Sequence, residues 1–93
     1  DIDWECPGQA DVTTSFDAAN DTPNFLRLLQ ALRTSIGPSK FISAAVHENQ
    51  LFFVDHAADR NLSAFAAVLD WVSPKVYNNF GPWDKTTAHD APM

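Results

Sequence analysis

Residues 21–46 limit the fold most, because they join one amphipathic helix directly to a continuous apolar strand. Asp21 or Thr22 can cap the helix, and Pro23 suits its first position. Phe25, Leu28, Leu29, Leu32 and Ile36 repeat at the three-four spacing of a buried stripe. Arg33 stands near the helix C-terminus, where the macrodipole favours a cation. Gly37-Pro38 supplies the stop. The run at 41–46, with Ile42, Ala44, Ala45 and Val46, is then apolar at nearly every position, as in a parallel strand covered on both faces.

The flanks extend this unit in both directions. At 1–5, Asp1, Asp3 and Glu5 alternate with Ile2 and Trp4, the period of a strand with its three acids on one face. Pro7-Gly8 ends that strand, and 9–20 reads as a polar loop. Residues 47–60 are expected to form a loop carrying the apolar patch Leu51-Phe52-Phe53-Val54. Ser63 can cap a second helix with Phe65, Ala66, Leu69 and Val72 on its apolar face, and Trp71 is expected to pack beneath it. A third strand follows at 72–77, with Pro74 awkward in a central position. The order is βαβαβ, a parallel α/β unit. Three strands and two helices cannot cover both faces of such a sheet, and the chain opens directly on its acidic motif. Residues 1–93 are therefore expected to be an internal part of a larger domain.

Composition narrows the partners. The chain is 45% hydrophobic and 19% charged, too apolar for a disordered segment. No apolar run reaches the ~20 residues of a membrane-spanning helix, so no membrane partner is expected. Twelve acids against six Lys and Arg give a net charge of −6 and no basic cluster, which argues against nucleic acid. The single cysteine, Cys6, excludes an internal disulfide framework. The sequons at Asn20-Asp21-Thr22 and Asn61-Leu62-Ser63 fit a secreted, extracellular protein. Oligomeric state is not readable from these features.

In open and closed α/β folds chemistry collects at strand C-terminal ends, where Glu5 and Tyr77 both fall. Three carboxylates on one strand face, about 6.5–7 Å apart per two residues, are costly, so a pKa must rise or a cation must bind. Three readings follow. The acids can form a solvated edge strand. Asp1 and Asp3 can hold a divalent ion, as in sugar-nucleotide transferases. Or Glu5, kept protonated by its neighbours, can serve as a general acid.

The motif DIDWECPG resembles the acidic signature of glycoside hydrolase family 18, the chitinases and their relatives, which reads Asp-Gly-x-Asp-x-Asp-x-Glu. NDTPNFLRLLQALR is similar to the following helix of fungal members, and KFISAAV to the fifth strand. VYNNFGPWD is similar to the Met-x-Tyr-Asp strand and its Gly-x-Trp loop, and AHDAPM to an Asn-Ala-Pro-Leu stretch. The resemblance covers essentially the whole chain. It implies a fragment of a TIM (β/α)8 barrel spanning strands four to six, within a partial catalytic domain at 1–93. It also implies a chitinase-type, substrate-assisted, retaining hydrolysis of β-1,4 bonds between N-acetylglucosamine units, without metal or other cofactor. By the same resemblance Glu5 would protonate the glycosidic oxygen. Asp3 would hold the acetamido nitrogen, Asp1 would tune Asp3, and Tyr77 would orient the acetamido oxygen. Trp4, Asn78 and Trp83 would contact the sugar, and chitin or chitooligosaccharides would be the partner.

The sequence departs from the family pattern at four places. Lys75 stands where the signature has Met, Asn78 where it has Asp, Cys6 where a Tyr is common, and Pro74 where a strand residue is apolar. Lys75 would bring charge to the sugar floor, and Asn78 would lose the negative charge that helps a cationic intermediate. A non-catalytic chitin-binding relative is therefore the alternative. Cys6 reads as a small buried residue rather than a nucleophile, for want of a neighbouring His. His47, Glu48, Asp55 and His56 match no known metal spacing, and His89 reads as a loop residue.

Overall fold

The computed structural model describes residues 1–10, 15–47, 53–54, 57–58, 61–77 and 79–91. Helix α1 (Asp21–Ile36) is followed by strand β1 (Ser43–His47), two short strands β2 (Phe53–Val54) and β3 (Ala57–Ala58), one helical turn α2 (Ser63–Ala66), and strand β4 (Trp71–Lys75). β1 and β4 pair in parallel, with Ser43 opposite Trp71 and His47 opposite Lys75. The segment at 1–5 does not form a full strand. It joins the sheet through one parallel bridge, Ile2 to Ala44, made by Ile2 N–H to Ser43 O (2.8 Å) and Ala45 N–H to Ile2 O (2.9 Å). The sequential order of the extended segments is thus kept across the sheet, with β1 in the middle. Pro74 fits because β4 pairs with β1 alone among the described residues.

The helix follows its sequence grammar with two corrections at its start. Neither Asp21 nor Thr22 caps it: Asn20 holds the cap position without a side-chain bond, and Pro23 is the third helical residue. The Asp21 carboxylate reaches back instead, where Oδ2 accepts the N–H of Asp17 (3.0 Å) and of Gly8 (3.3 Å). That bond fixes the turn after the acidic segment. At the far end Gly37 takes a φ of 77°, a left-handed value that only glycine adopts freely, and donates its N–H to Arg33 O. Phe25 and Leu29 are fully buried, Leu32 partly so, and Leu28 faces out.

One core holds the unit together: Phe25 and Leu29 from α1, Ile42 just before β1, Ala44 and Val46 from β1, and Phe65 from α2. Ala44 and Val46 share one face of β1, so that face is covered by the helices. Parallel register puts Ser43, Ala45, His47, Trp71, Ser73 and Lys75 on the opposite face.

Three further expectations are corrected. The second helix stops after Ala66, because Asp70 donates its N–H to Ile42 O (2.9 Å) and the chain turns into β4. Leu69 and Val72 therefore lie outside the helix. Ser63 is its first residue rather than its cap, and its hydroxyl donates to Asn61 Oδ1 (2.7 Å). Trp71 does not lie beneath that helix. It opens β4, is half exposed, and its ring packs on Phe41 at 5.7 Å. The stretch expected as plain loop includes the antiparallel pair β2–β3. No helix among the described residues is long and apolar enough to cross a membrane.

Candidate active site

Parallel strands bring their C-terminal ends to one edge, and there the two ends of the chain's chemistry meet. The extended segment delivers Asp3 and Glu5, β4 delivers Lys75 at its last position, and Tyr77 follows two residues later. Alternation puts Asp1, Asp3 and Glu5 on one side of the segment, and their partners Ser43 and Lys75 lie on the sheet face away from the helices. The Lys75 ammonium donates to Glu5 Oε1 and lies 3.6 Å from Asp3 Oδ1. It also sits 5.7 Å from the centre of the Tyr77 ring, within reach of a cation–π attraction. The like-charge crowding read from the sequence is thus answered by an internal cation. Glu5 foremost, then the Tyr77 side chain, hold the Lys75 ammonium protonated well above the ordinary lysine range.

Asp1 is held separately. Its Oδ1 accepts the hydroxyl of Ser43 at 2.7 Å, and Ser43 is buried in β1. The three acids therefore split into one facing Ser43 and two sharing Lys75. Among the described residues no group of three or more His, Cys, Asp or Glu is placed to hold a metal ion.

The other residues expected at the sugar divide. Trp4 points to the helix side of its segment, where its ring packs on Phe25 at 5.3 Å. Trp83 is 68% exposed. Its indole folds over Gly81 so closely that a Cβ there would stand 2.3 Å from the ring. The loop carrying Trp83 is closed by Asn79, whose N–H and side-chain amide both donate to Asp90 O, and by Gly81 N–H to Asp84 Oδ2 (3.0 Å). A cleft of about 300 Å³ lined by Phe80, Asp84, Lys85 and Thr87 lies in that loop, apart from the acids. Asn78 lies outside the described residues, as do Glu48, Asp55 and His56. Cys6 is half-buried rather than buried.

The sequence reading missed the Lys75–Glu5 contact and the Ser43–Asp1 bond. Neither carries a local sequence signal, because both depend on the register of the parallel segments.

Carboxylates gathered at the C-terminal edge of parallel βα strands lie where α/β enzymes place their chemistry. A family-wide pattern for glycosyl hydrolases family 18 matches residues 1–93, and the chain belongs to that family, a family of TIM barrels. Over its whole length the chain is 31% identical to a chitinase-like effector of Moniliophthora perniciosa. It is 26% identical to Chitinase A1 of Niallia circulans and 33% identical to Probable chitinase 10 of Drosophila melanogaster. It spans 22%, 14% and 4% of those proteins' lengths respectively. No solved structure gives a significant match.

Proposed function

We propose that residues 1–93 are the acid-bearing part of a family 18 barrel, strands four to six, that acts on β-1,4-linked N-acetylglucosamine chains. The observation that carries this reading is the convergence of Asp3, Glu5 and Tyr77 on one point, the Lys75 side chain, at the C-terminal edge of parallel strands. The radius of gyration, 14.9 Å, supports a part rather than a whole domain, since a compact chain of this length has about 12 Å.

In this reading Glu5 gives a proton to the glycosidic oxygen, and the substrate's acetamido oxygen attacks the anomeric carbon in place of an enzyme nucleophile. Asp3 holds the acetamido N–H and steadies the cationic ring that forms. Asp1, oriented by Ser43, shares charge with Asp3. Tyr77 orients the acetamido oxygen. Trp83 offers a ring face to the apolar side of a sugar, and Trp4 steadies the acidic segment from behind through Phe25. Asn78 lends a hydrogen-bonding amide. No cofactor takes part, and the protein works outside the cell on chitin or chitooligosaccharides.

Lys75 also favours a second reading, a chitin-binding protein that does not cleave, because an ammonium occupies the acid. Relatives named chitinase-like effectors in two Moniliophthora species are in keeping with it. The test uses the complete polypeptide carrying this segment. Glu5→Gln is expected to abolish hydrolysis of a chromogenic chitooligosaccharide while leaving sugar binding intact. Turnover by the Glu5→Gln variant at the parental rate would remove Glu5 from the mechanism. Binding without turnover in the parent would select the second reading.

A further inference from the structure

Lys75 stands out because it reaches Asp3, Glu5 and Tyr77 together. It is the last residue of β4, opposite His47 of β1, so the strand fixes where its stem leaves the sheet. Its ammonium donates to Glu5, lies 3.6 Å from Asp3 Oδ1 and approaches the Tyr77 ring. A sugar bound for cleavage would need all three of those side chains.

We propose that Lys75 is a positioning residue that withholds hydrolysis: its tethered ammonium engages the Glu5 carboxylate, so that the site binds N-acetylglucosamine chains but cleaves them slowly. The inference rests on the sugar-site reading above and adds what sets its rate. Two physical reasons support it. An ion pair with Lys75 uses the ionised carboxylate, whereas proton donation to a glycosidic oxygen uses the neutral acid. A lysine ammonium is also a compact charge on a flexible four-carbon stem. An arriving sugar can push it aside, but the stem keeps it within reach of Glu5 throughout the encounter. A neutral side chain of similar length would leave the acid free to carry its proton.

The experiment compares Lys75→Met, Lys75→Arg and the double variant Lys75→Met/Glu5→Gln in the complete polypeptide. Binding of chitohexaose is measured by calorimetry and turnover with a chromogenic chitooligosaccharide. Since general acid catalysis is worth ~10²–10⁴-fold, Lys75→Met is expected to raise kcat by about tenfold or more with binding retained. Adding Glu5→Gln is expected to remove that gain, and Lys75→Arg, which keeps the charge, to show no gain of that size. A merely structural role for Lys75 would not divide Met from Arg in this way. Lys75→Gln serves as the neutral variant if the Met protein does not fold. Retained binding with no gain in a folded neutral variant overturns the inference and leaves the sugar site standing. An equal gain in Lys75→Arg overturns it too, because charge would not be the cause. Absence of chitohexaose binding in the folded parent and every folded variant overturns the sugar-site reading and the inference with it.

Discussion

Arg33 Nη2 donates to Asp70 Oδ2 at 2.6 Å, joining the last turn of α1 to the entry of β4 across 37 residues. The same carboxylate oxygen accepts the Ile42 N–H at 2.7 Å, just before β1. Arg33 also donates to Val68 O through Nε and Nη2. One ion pair thus ties a helix end and two strand entries together. It does so at the N-terminal edge of the sheet, opposite the acids. Its position matches the usual division of a βα unit, with stability built at one end and chemistry at the other.

Acid should loosen this knot. The Ile42 N–H, followed by Arg33, holds the Asp70 carboxyl below its ordinary value of 3.8. A depressed native pKa adds stability that is present above the unfolded value and lost as pH falls through the folded one. In the complete polypeptide, Asp70→Asn is expected to lower Tm at pH 7, and the gap to the parent is expected to close progressively below about pH 4. A gap that stays constant from pH 7 to pH 3 would show that the Asp70 charge is not its source.

Phe25 should be the costliest single residue to truncate. It is fully buried, 5.3 Å from the Trp4 ring and 6.2 Å from Phe65, so it links the acidic segment to both helices. Phe25→Ala is expected to cost about 3–5 kcal/mol by chemical denaturation. Leu28→Ala, on the exposed side of the same helix, is expected to stay within about 0.5 kcal/mol. Similar losses for the two would mean that the buried stripe is misassigned.

Much of this was readable in the chain. The three-four spacing of Phe25, Leu29 and Leu32, with Gly37 as the stop, marks α1 to within two residues at its start, and the apolar run at 41–46 marks β1 and its parallel pairing. The misses have local causes. Asp21 fits a cap by residue type, but its carboxylate is drawn to Gly8, a contact 13 residues back that no local pattern encodes. Leu69 and Val72 continue the apolar spacing of the second helix, so the pattern alone predicts a longer one. The bond from Asp70 N–H to Ile42 O cuts it short, and that bond depends on β1 being in place. At the site, type and spacing single out the three acids and the family resemblance points to Tyr77, whereas the meeting of Lys75 with Glu5 spans 70 residues and needs the sheet register.

Gly81 gives a direct handle on Trp83. A Cβ there would fall 2.3 Å from the outer atoms of the indole, which must then swing away. Because those atoms are the free end of an exposed side chain, Gly81→Ala is expected to change stability by no more than about 0.5 kcal/mol. If Trp83 stacks on sugar, the same variant weakens chitohexaose binding in the complete polypeptide, as Trp83→Ala does. Unchanged affinity in both variants would take Trp83 out of the sugar site.

The thiol offers a simple control. Cys6 lies next to Glu5, yet the proposed mechanism gives it no role. Cys6→Ser is expected to leave turnover within about twofold, far below the ~10²–10⁴-fold that a general acid supplies. Loss of turnover on alkylating Cys6, with the fold intact by circular dichroism, would bring thiol chemistry back.

The 93 residues by themselves are expected to be molten or aggregation-prone, and without measurable chitinase activity. The face that carries the acids is poorly covered: Trp71 is 51% exposed and Phe41, its ring partner, is 75% exposed. Those two rings would meet in water a surface that elsewhere packs a barrel interior. Among the described residues β4 has a neighbour on one side only, and its far edge presents unpaired backbone groups to other chains. Among the described residues the buried cluster is small: Phe25 and Leu29 from α1, Phe65 from α2, Ala44 and Val46 from β1, and Ile42 just before it. At ~25 cal/mol per Å² of apolar area, so small a core leaves little against chain entropy, where a stable domain keeps a margin of about 5–15 kcal/mol. Asp3, Glu5 and Tyr77 would also lack the opposing walls that hold a sugar in register. Sedimentation and thermal denaturation of the isolated peptide check this directly. A monomer with one cooperative transition, and chitooligosaccharide turnover that Glu5→Gln removes, would overturn it.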